Sequence, residues 1–168
     1  MILRPHFFWG VQNADAPPRM NVFLVGPMGS GKSAVGRQLA QRLALEFIDS
    51  DAEIEARTGV DIAYIFEREG EAGFRSREAE VIDALSRRDR VLVSTGGGAI
   101  LDASTRERLR ARGRVVYLRT SVDQQLARTR RSNDRPLLNN DDPRGTLERL
   151  FEQRAPLYTE VAEIVAAV

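Results

Sequence analysis

Eight residues constrain this chain more than any others: Gly26-Pro27-Met28-Gly29-Ser30-Gly31-Lys32-Ser33. They follow a short apolar run, 21–25, and open a segment in which Val35, Leu39 and Leu43 recur at helical spacing. The octet fits G-x-x-x-x-G-K-[ST] in the strand–loop–helix setting that this pattern requires. Its glycines let backbone N–H groups turn inward around an anion, and the helix start adds unpaired donors and partial positive charge. Gly29, Ser30, Gly31, Lys32, Ser33 and Ala34 are therefore expected to cradle the phosphates of a nucleoside triphosphate, with the Ser33 hydroxyl available to Mg²⁺.

Lys32 stands out for a second reason. Lysine and arginine together number 25, and Lys32 is the one lysine among them. A compact ammonium on a flexible stem can reach over the loop to the β- and γ-phosphates and follow the moving phosphoryl group. A guanidinium fork is bulkier and fixed in shape. Arginine replaces lysine everywhere except where point-charge chemistry is needed.

The rest of the chain alternates strand and helix. Strands are expected at 21–25, 46–49, 91–95 and 115–118, with a last Ala-Val-rich segment at 162–168. Helices are expected at 31–45, 51–58, 61–68, 72–88, 103–112, 121–131 and 144–154, with aspartates at the starts and glycines at the stops of 51–58 and 61–68. Such alternation implies a parallel sheet covered on both faces, a three-layer α/β/α domain. The polar, proline-bounded stretch 131–143 is aperiodic and long, the mark of a functional loop.

Composition narrows the function. A net charge of +1 gives no basic field for nucleic acid or an anionic membrane. The absence of cysteine excludes disulfides, cysteine–zinc sites and thiol catalysis. Apolar runs are far shorter than the ~20 residues of a membrane span, so a cytoplasmic protein is expected. Residues 1–19 have no period and are expected to be a disordered extension, leaving 20–168 as one domain.

Asp49-Ser50-Asp51 lies at the carboxyl end of the second strand, the edge where open α/β sheets bind ligands. Strand alternation puts Asp49 and Asp51 on one side and Ser50 opposite. One carboxylate can serve the metal shell and the other an acceptor hydroxyl; Asp51 can also cap the helix 52–58. Gly96-Gly97-Gly98 after the third strand carries an entropic cost that a site of very close approach explains. Phe66 and Phe74 are candidates to wall a ring or to fill the core, and Glu78 is the i,i+3 partner of Arg75.

With these residues in order, the chain resembles the shikimate kinase family from about residue 21 onward. The motifs are GPMGSGKS (26–33), DSD (49–51), GFR (73–75), TGGG (95–98), RPLL (135–138) and R-APLY (154–158). The resemblance implies transfer of the ATP γ-phosphate to the 3-hydroxyl of shikimate, with Mg²⁺, in a monomer whose five-stranded parallel sheet has the order 2-3-1-4-5. It implies that Asp51 holds and helps deprotonate the acceptor hydroxyl, and that Asp49 orients Mg²⁺. Arg75 and Arg154 would clamp the substrate carboxylate, with Gly96, Gly97 and Gly98 approaching substrate and phosphate. Arg135 would close over the phosphates from a lid at 131–143, and Arg128 would stack on adenine. The substrate-binding segment would span about 50–88. A gluconate- or nucleotide-type kinase and a non-catalytic nucleotide switch are the rival readings. The family pattern also implies an adenine-covering loop and last helix after 168, and weaker ATP affinity and stability without them.

Overall fold

The computed structural model describes residues 20–130 and 136–168. Its centre is β1 (Val22–Val25), buried along its whole length. It pairs in parallel with β3 (Val91–Ser94) on one side and β4 (Arg114–Arg119) on the other. The parallel partners β2 (Glu46–Asp49) and β5 (Ile164–Ala167) complete a sheet of order β2-β3-β1-β4-β5, as expected. Alternate residues of each strand enter two cores, because both faces are covered. Leu24, Leu92 and Leu118 pack with Ala40 of α1 (Lys32–Leu43). Phe23, Val25, Val93 and Tyr117 pack with residues of α3 (Ile62–Ser86), α4 (Ala103–Arg112) and α6 (Pro143–Val161). Two shorter helices, α2 (Ser50–Thr58) and α5 (Val122–Thr129), follow β2 and β4. No helix among the described residues is long and apolar enough to cross a membrane.

Three helices depart from the sequence expectation. Helix α2 begins at Ser50, capped by Asp49 rather than Asp51: Oδ1 of Asp49 accepts from the N–H groups of Asp51 at 3.0 Å and Ala52 at 3.3 Å. Strand alternation therefore stops at Asp49. Helices expected at 61–68 and 72–88 merge into α3, whose turns continue through a kink at Gly70 with φ 70° and ψ −178°. Helix α6 does not end at Arg154 but runs through Pro156. Proline there deletes one N–H and crowds the Glu152 carbonyl, and the burial of Tyr158 and Val161 in the core holds the following turn in place.

The loops leaving β1, β2 and β3 meet at the carboxyl edge of the sheet, the edge that open α/β sheets use for ligands.

Candidate active site

The loop 26–31 folds as the motif requires. Gly29 and Gly31 take φ of 75° and 85°, and Gly31 starts α1 with no side-chain cap, leaving the first N–H groups of the helix to a ligand. Nζ of Lys32 reaches back across the loop and donates to the carbonyls of Gly26 at 2.8 Å and Pro27 at 2.9 Å. Arg128 of α5 donates from Nη1 to the Gly29 carbonyl at 2.9 Å. Gly29, Gly31, Lys32 and Arg128, together with Ser33, Ala34, Asp49, Asp51 and Thr95, line a chamber of about 290 Å³.

Ser33 Oγ donates to Oδ2 of Asp49 at 2.7 Å. Asp49 thus uses one oxygen to cap α2 and the other to hold the hydroxyl beside Lys32. Helix α2 then places Asp51 one residue inside its first turn, facing the same space. A hydroxyl and a carboxylate at the phosphate loop are the hard oxygen donors that suit Mg²⁺, which keeps several waters and takes few protein ligands.

A second, larger cleft of about 630 Å³ opens beside the first. Its walls come from the α2–α3 segment (Glu55, Phe66, Phe74, Arg75, Glu78), from Gly96, Gly97 and Gly98, and from Arg154 of α6. Arg75 Nη1 donates to Glu78 Oε2 at 2.7 Å, as the i,i+3 spacing predicts, and Nη2 lies 3.3 Å from Glu71 Oε1. Glu78 and Arg154 are 2% and 4% exposed, so a buried carboxylate and a buried guanidinium form the floor. Burial raises the Glu78 pKa; Arg75 opposes this, and the neighbouring Asp51 charge adds to the rise. The rings of Phe66 and Phe74 pack at a tilt of 35°, centroids 4.8 Å apart. Phe74 belongs to the core and also lines the cleft, so the two readings of it coincide.

The glycine turn makes room for these side chains. A Cβ on Gly98 would stand 2.3 Å from Arg75 Nη2, and one on Gly96 would stand 2.4 Å from Glu78 Oε1 and 3.0 Å from Asp51 Oδ1. The close approach inferred from the three glycines is therefore made first by the protein's own arginine and carboxylates. Both cavities share Met28, Asp49, Asp51, Gly96 and Gly97. A phosphate-binding nest and a cleft bearing carboxylates and guanidinium groups thus meet at Asp51.

The Shikimate kinase family model matches residues 28–168. This chain belongs to the shikimate kinase family. The shikimate kinase of Halorhodospira halophila is 62% identical over 144 residues, which cover 86% of this chain and 81% of that protein. The shikimate kinase of Shewanella amazonensis is 56% identical over 147 residues, covering 88% and 86%. Among solved structures, shikimate kinase from Acinetobacter baumannii in complex with shikimate superposes with a TM-score of 0.88 at 51% identity, covering 89% of this chain and 84% of that one. The chain is accordingly a nucleotide-binding kinase with the fold of this family.

Of the site residues expected for a shikimate kinase, the fold gathers Gly29, Gly31, Lys32, Ser33, Ala34, Asp49, Asp51, Gly96, Gly97 and Arg128 around the smaller chamber, with Ser30 buried in its loop. It gathers Asp49, Asp51, Arg75, Gly96, Gly97, Gly98 and Arg154 around the larger. Arg135 lies outside the described residues. Two participants carried no role in the sequence. Ser50, fully buried, accepts from the Gly96 N–H at 3.0 Å and ties α2 to the glycine turn. Tyr158 donates to the Gly97 carbonyl. Its place in R-APLY was the available signal.

Proposed function

We propose that this chain transfers the γ-phosphate of ATP to the 3-hydroxyl of shikimate, as a monomer in the cytoplasm. The observation that carries the reading is the shared wall of the two cavities, at Asp49, Asp51, Gly96 and Gly97. ATP phosphates enter the chamber under Lys32 and the α1 N-terminus, while the adenine side lies toward Arg128. The acid enters the larger cleft with its carboxylate against Arg75 and Arg154, whose planar forks match a carboxylate. Asp51 accepts the hydrogen bond of the acceptor hydroxyl at the junction and takes up its proton as the oxygen attacks in line. Mg²⁺ would be held through Ser33 and Asp49, and when bound it supplies neutralising charge to the phosphate oxygens. Lys32 remains with the transferring group throughout, and Arg135, outside the described residues, would add a further positive charge toward the phosphates as the family pattern implies. Catalysis of this kind rests on positioning and charge stabilisation more than on covalent chemistry.

Coupled measurement of ADP release with shikimate, gluconate and nucleoside monophosphates tests the assignment. Release should depend on shikimate; dependence on either alternative without response to shikimate would overturn it. Asp51→Asn should retain ATP binding while losing turnover. Replacing Arg75 by leucine should raise the shikimate KM by about tenfold or more and leave the ATP KM near its wild-type value, since the lost contact is a charge-assisted one. Equal rises in both KM values would contradict the carboxylate clamp.

A further inference from the structure

Tyr158 is 1% exposed and lies one helical turn after Arg154 on α6. Its hydroxyl donates to the carbonyl oxygen of Gly97, 61 residues away in sequence. The Arg154 guanidinium lies against the same glycine: a Cβ on Gly97 would stand 3.6 Å from its Nη1. A phenol has one proton and two lone pairs, so a hydroxyl that donates to the glycine turn keeps acceptor capacity on the side of the neighbouring arginine. Burial raises its pKa, which keeps the proton in place. Its ring stacks on Tyr117 of β4, centroids 5.0 Å apart and planes at 26°, so the oxygen has little freedom to move.

Two consequences follow at the cleft. In a trans peptide the C=O of one residue and the N–H of the next point in opposite directions. Drawing the Gly97 carbonyl toward the buried tyrosine turns the Gly98 N–H the other way, to the side where Gly98 lines the acceptor cleft. The turn so held is a fixed neighbour for the buried Arg154 fork, whose Nε has no hydrogen-bond partner among the described residues.

We propose that Tyr158 is a positioning residue of the acceptor site: its hydroxyl holds the Gly97 carbonyl, and with it the turn against which the Arg154 guanidinium lies, and so fixes the donors that receive the substrate carboxylate. This rests on the assignment of Arg154 to that carboxylate. Tyr158→Phe keeps the ring, the stack and the burial while removing the one oxygen that holds the Gly97 carbonyl. It should raise the shikimate KM about tenfold, with kcat, the ATP KM and the melting temperature close to wild type. Tyr117→Phe is the matched control. That hydroxyl is also buried and has no hydrogen-bond partner among the described residues, so its loss should leave both KM values unchanged.

A double-mutant cycle with Arg154→Leu separates this proposal from the reading beneath it. Tyr158→Phe should add much less to the shikimate KM in the Arg154→Leu background than in the wild type, because most of what it aims is already gone. The thermal shift induced by shikimate should follow the same pattern without relying on turnover. A raised KM in Arg154→Leu with no change in Tyr158→Phe overturns the tyrosine's role alone. A Tyr158→Phe variant that lowers kcat, raises both KM values and melts early overturns it in favour of a structural part. An unchanged KM in Arg154→Leu overturns the clamp and the proposal with it.

Discussion

Lys32 is the residue on which the chemistry turns. Its Nζ bridges two carbonyls of its own loop at 2.8 and 2.9 Å, inside the rim of a chamber of about 290 Å³. A guanidinium at this position would have to carry a wider, planar group into the same space. Lys32→Arg should therefore fold normally and lose kcat by roughly 10²-fold or more, the scale of losing one aimed donor to developing charge. Steady-state ADP release checks this, and a kcat near wild type would show that charge alone suffices. This residue was legible in the sequence because the loop's chemistry is local: eight consecutive positions encode it. Ser50 and Tyr158 were not legible, since each bonds the backbone of a turn 46 or 61 residues away. No spacing along the chain encodes such a partner.

At the scale of elements, the strands were legible to within two residues and α4 at both ends, whereas the limits of α2, α3 and α6 were not. Asp49 displaces Asp51 as the cap of α2 because its carboxylate serves Ser33 and the helix start together. Pro156 fails to end α6 because packing beyond it outweighs one lost hydrogen bond. The Gly70 kink was visible as a helix stop, but it bends α3 without breaking it. That bend separates Phe66 from Phe74 and Arg75, which all reach the acceptor cleft. Its φ of 70° with ψ of −178° is a conformation essentially confined to glycine. Gly70→Ala should cost roughly 1–3 kcal/mol of stability and raise the shikimate KM more than the ATP KM. Urea denaturation alongside initial-rate kinetics checks both; a variant as stable as wild type would mean that the kink stores no strain.

The molecule as a whole sets a phosphate-binding chamber beside a cleft floored by a buried carboxylate and a buried guanidinium at the carboxyl edge of its sheet. The layering was readable from the alternation of elements, and the strand order from the resemblance to the family. The depth of burial of Glu78 and Arg154 was not, because exposure is decided by how α3 and α6 cross the glycine turn. Glu78 gives this a pH signature. Its pKa is raised above 4.5, first by burial and then by Asp51, against the pull of Arg75. A carboxyl with a raised native pKa stabilises the fold in its protonated form. That contribution is complete below the ordinary glutamate value and is lost as pH rises through the native value. The stability of the wild type relative to Glu78→Gln should therefore fall as pH is raised above 4.5, over the window set by that upward shift. Chemical denaturation at stepped pH measures it, and a gap that widens with rising pH would contradict the burial-driven shift.

The most direct test of the whole account is a crystal structure of the chain with shikimate and a non-hydrolysable ATP analogue. The triphosphate should lie under Lys32, with the ring beside Asp51, its 3-hydroxyl facing the terminal phosphate and its carboxylate against Arg75 and Arg154. A ring bound elsewhere, or turned so that the carboxylate faces Asp51, would contradict it.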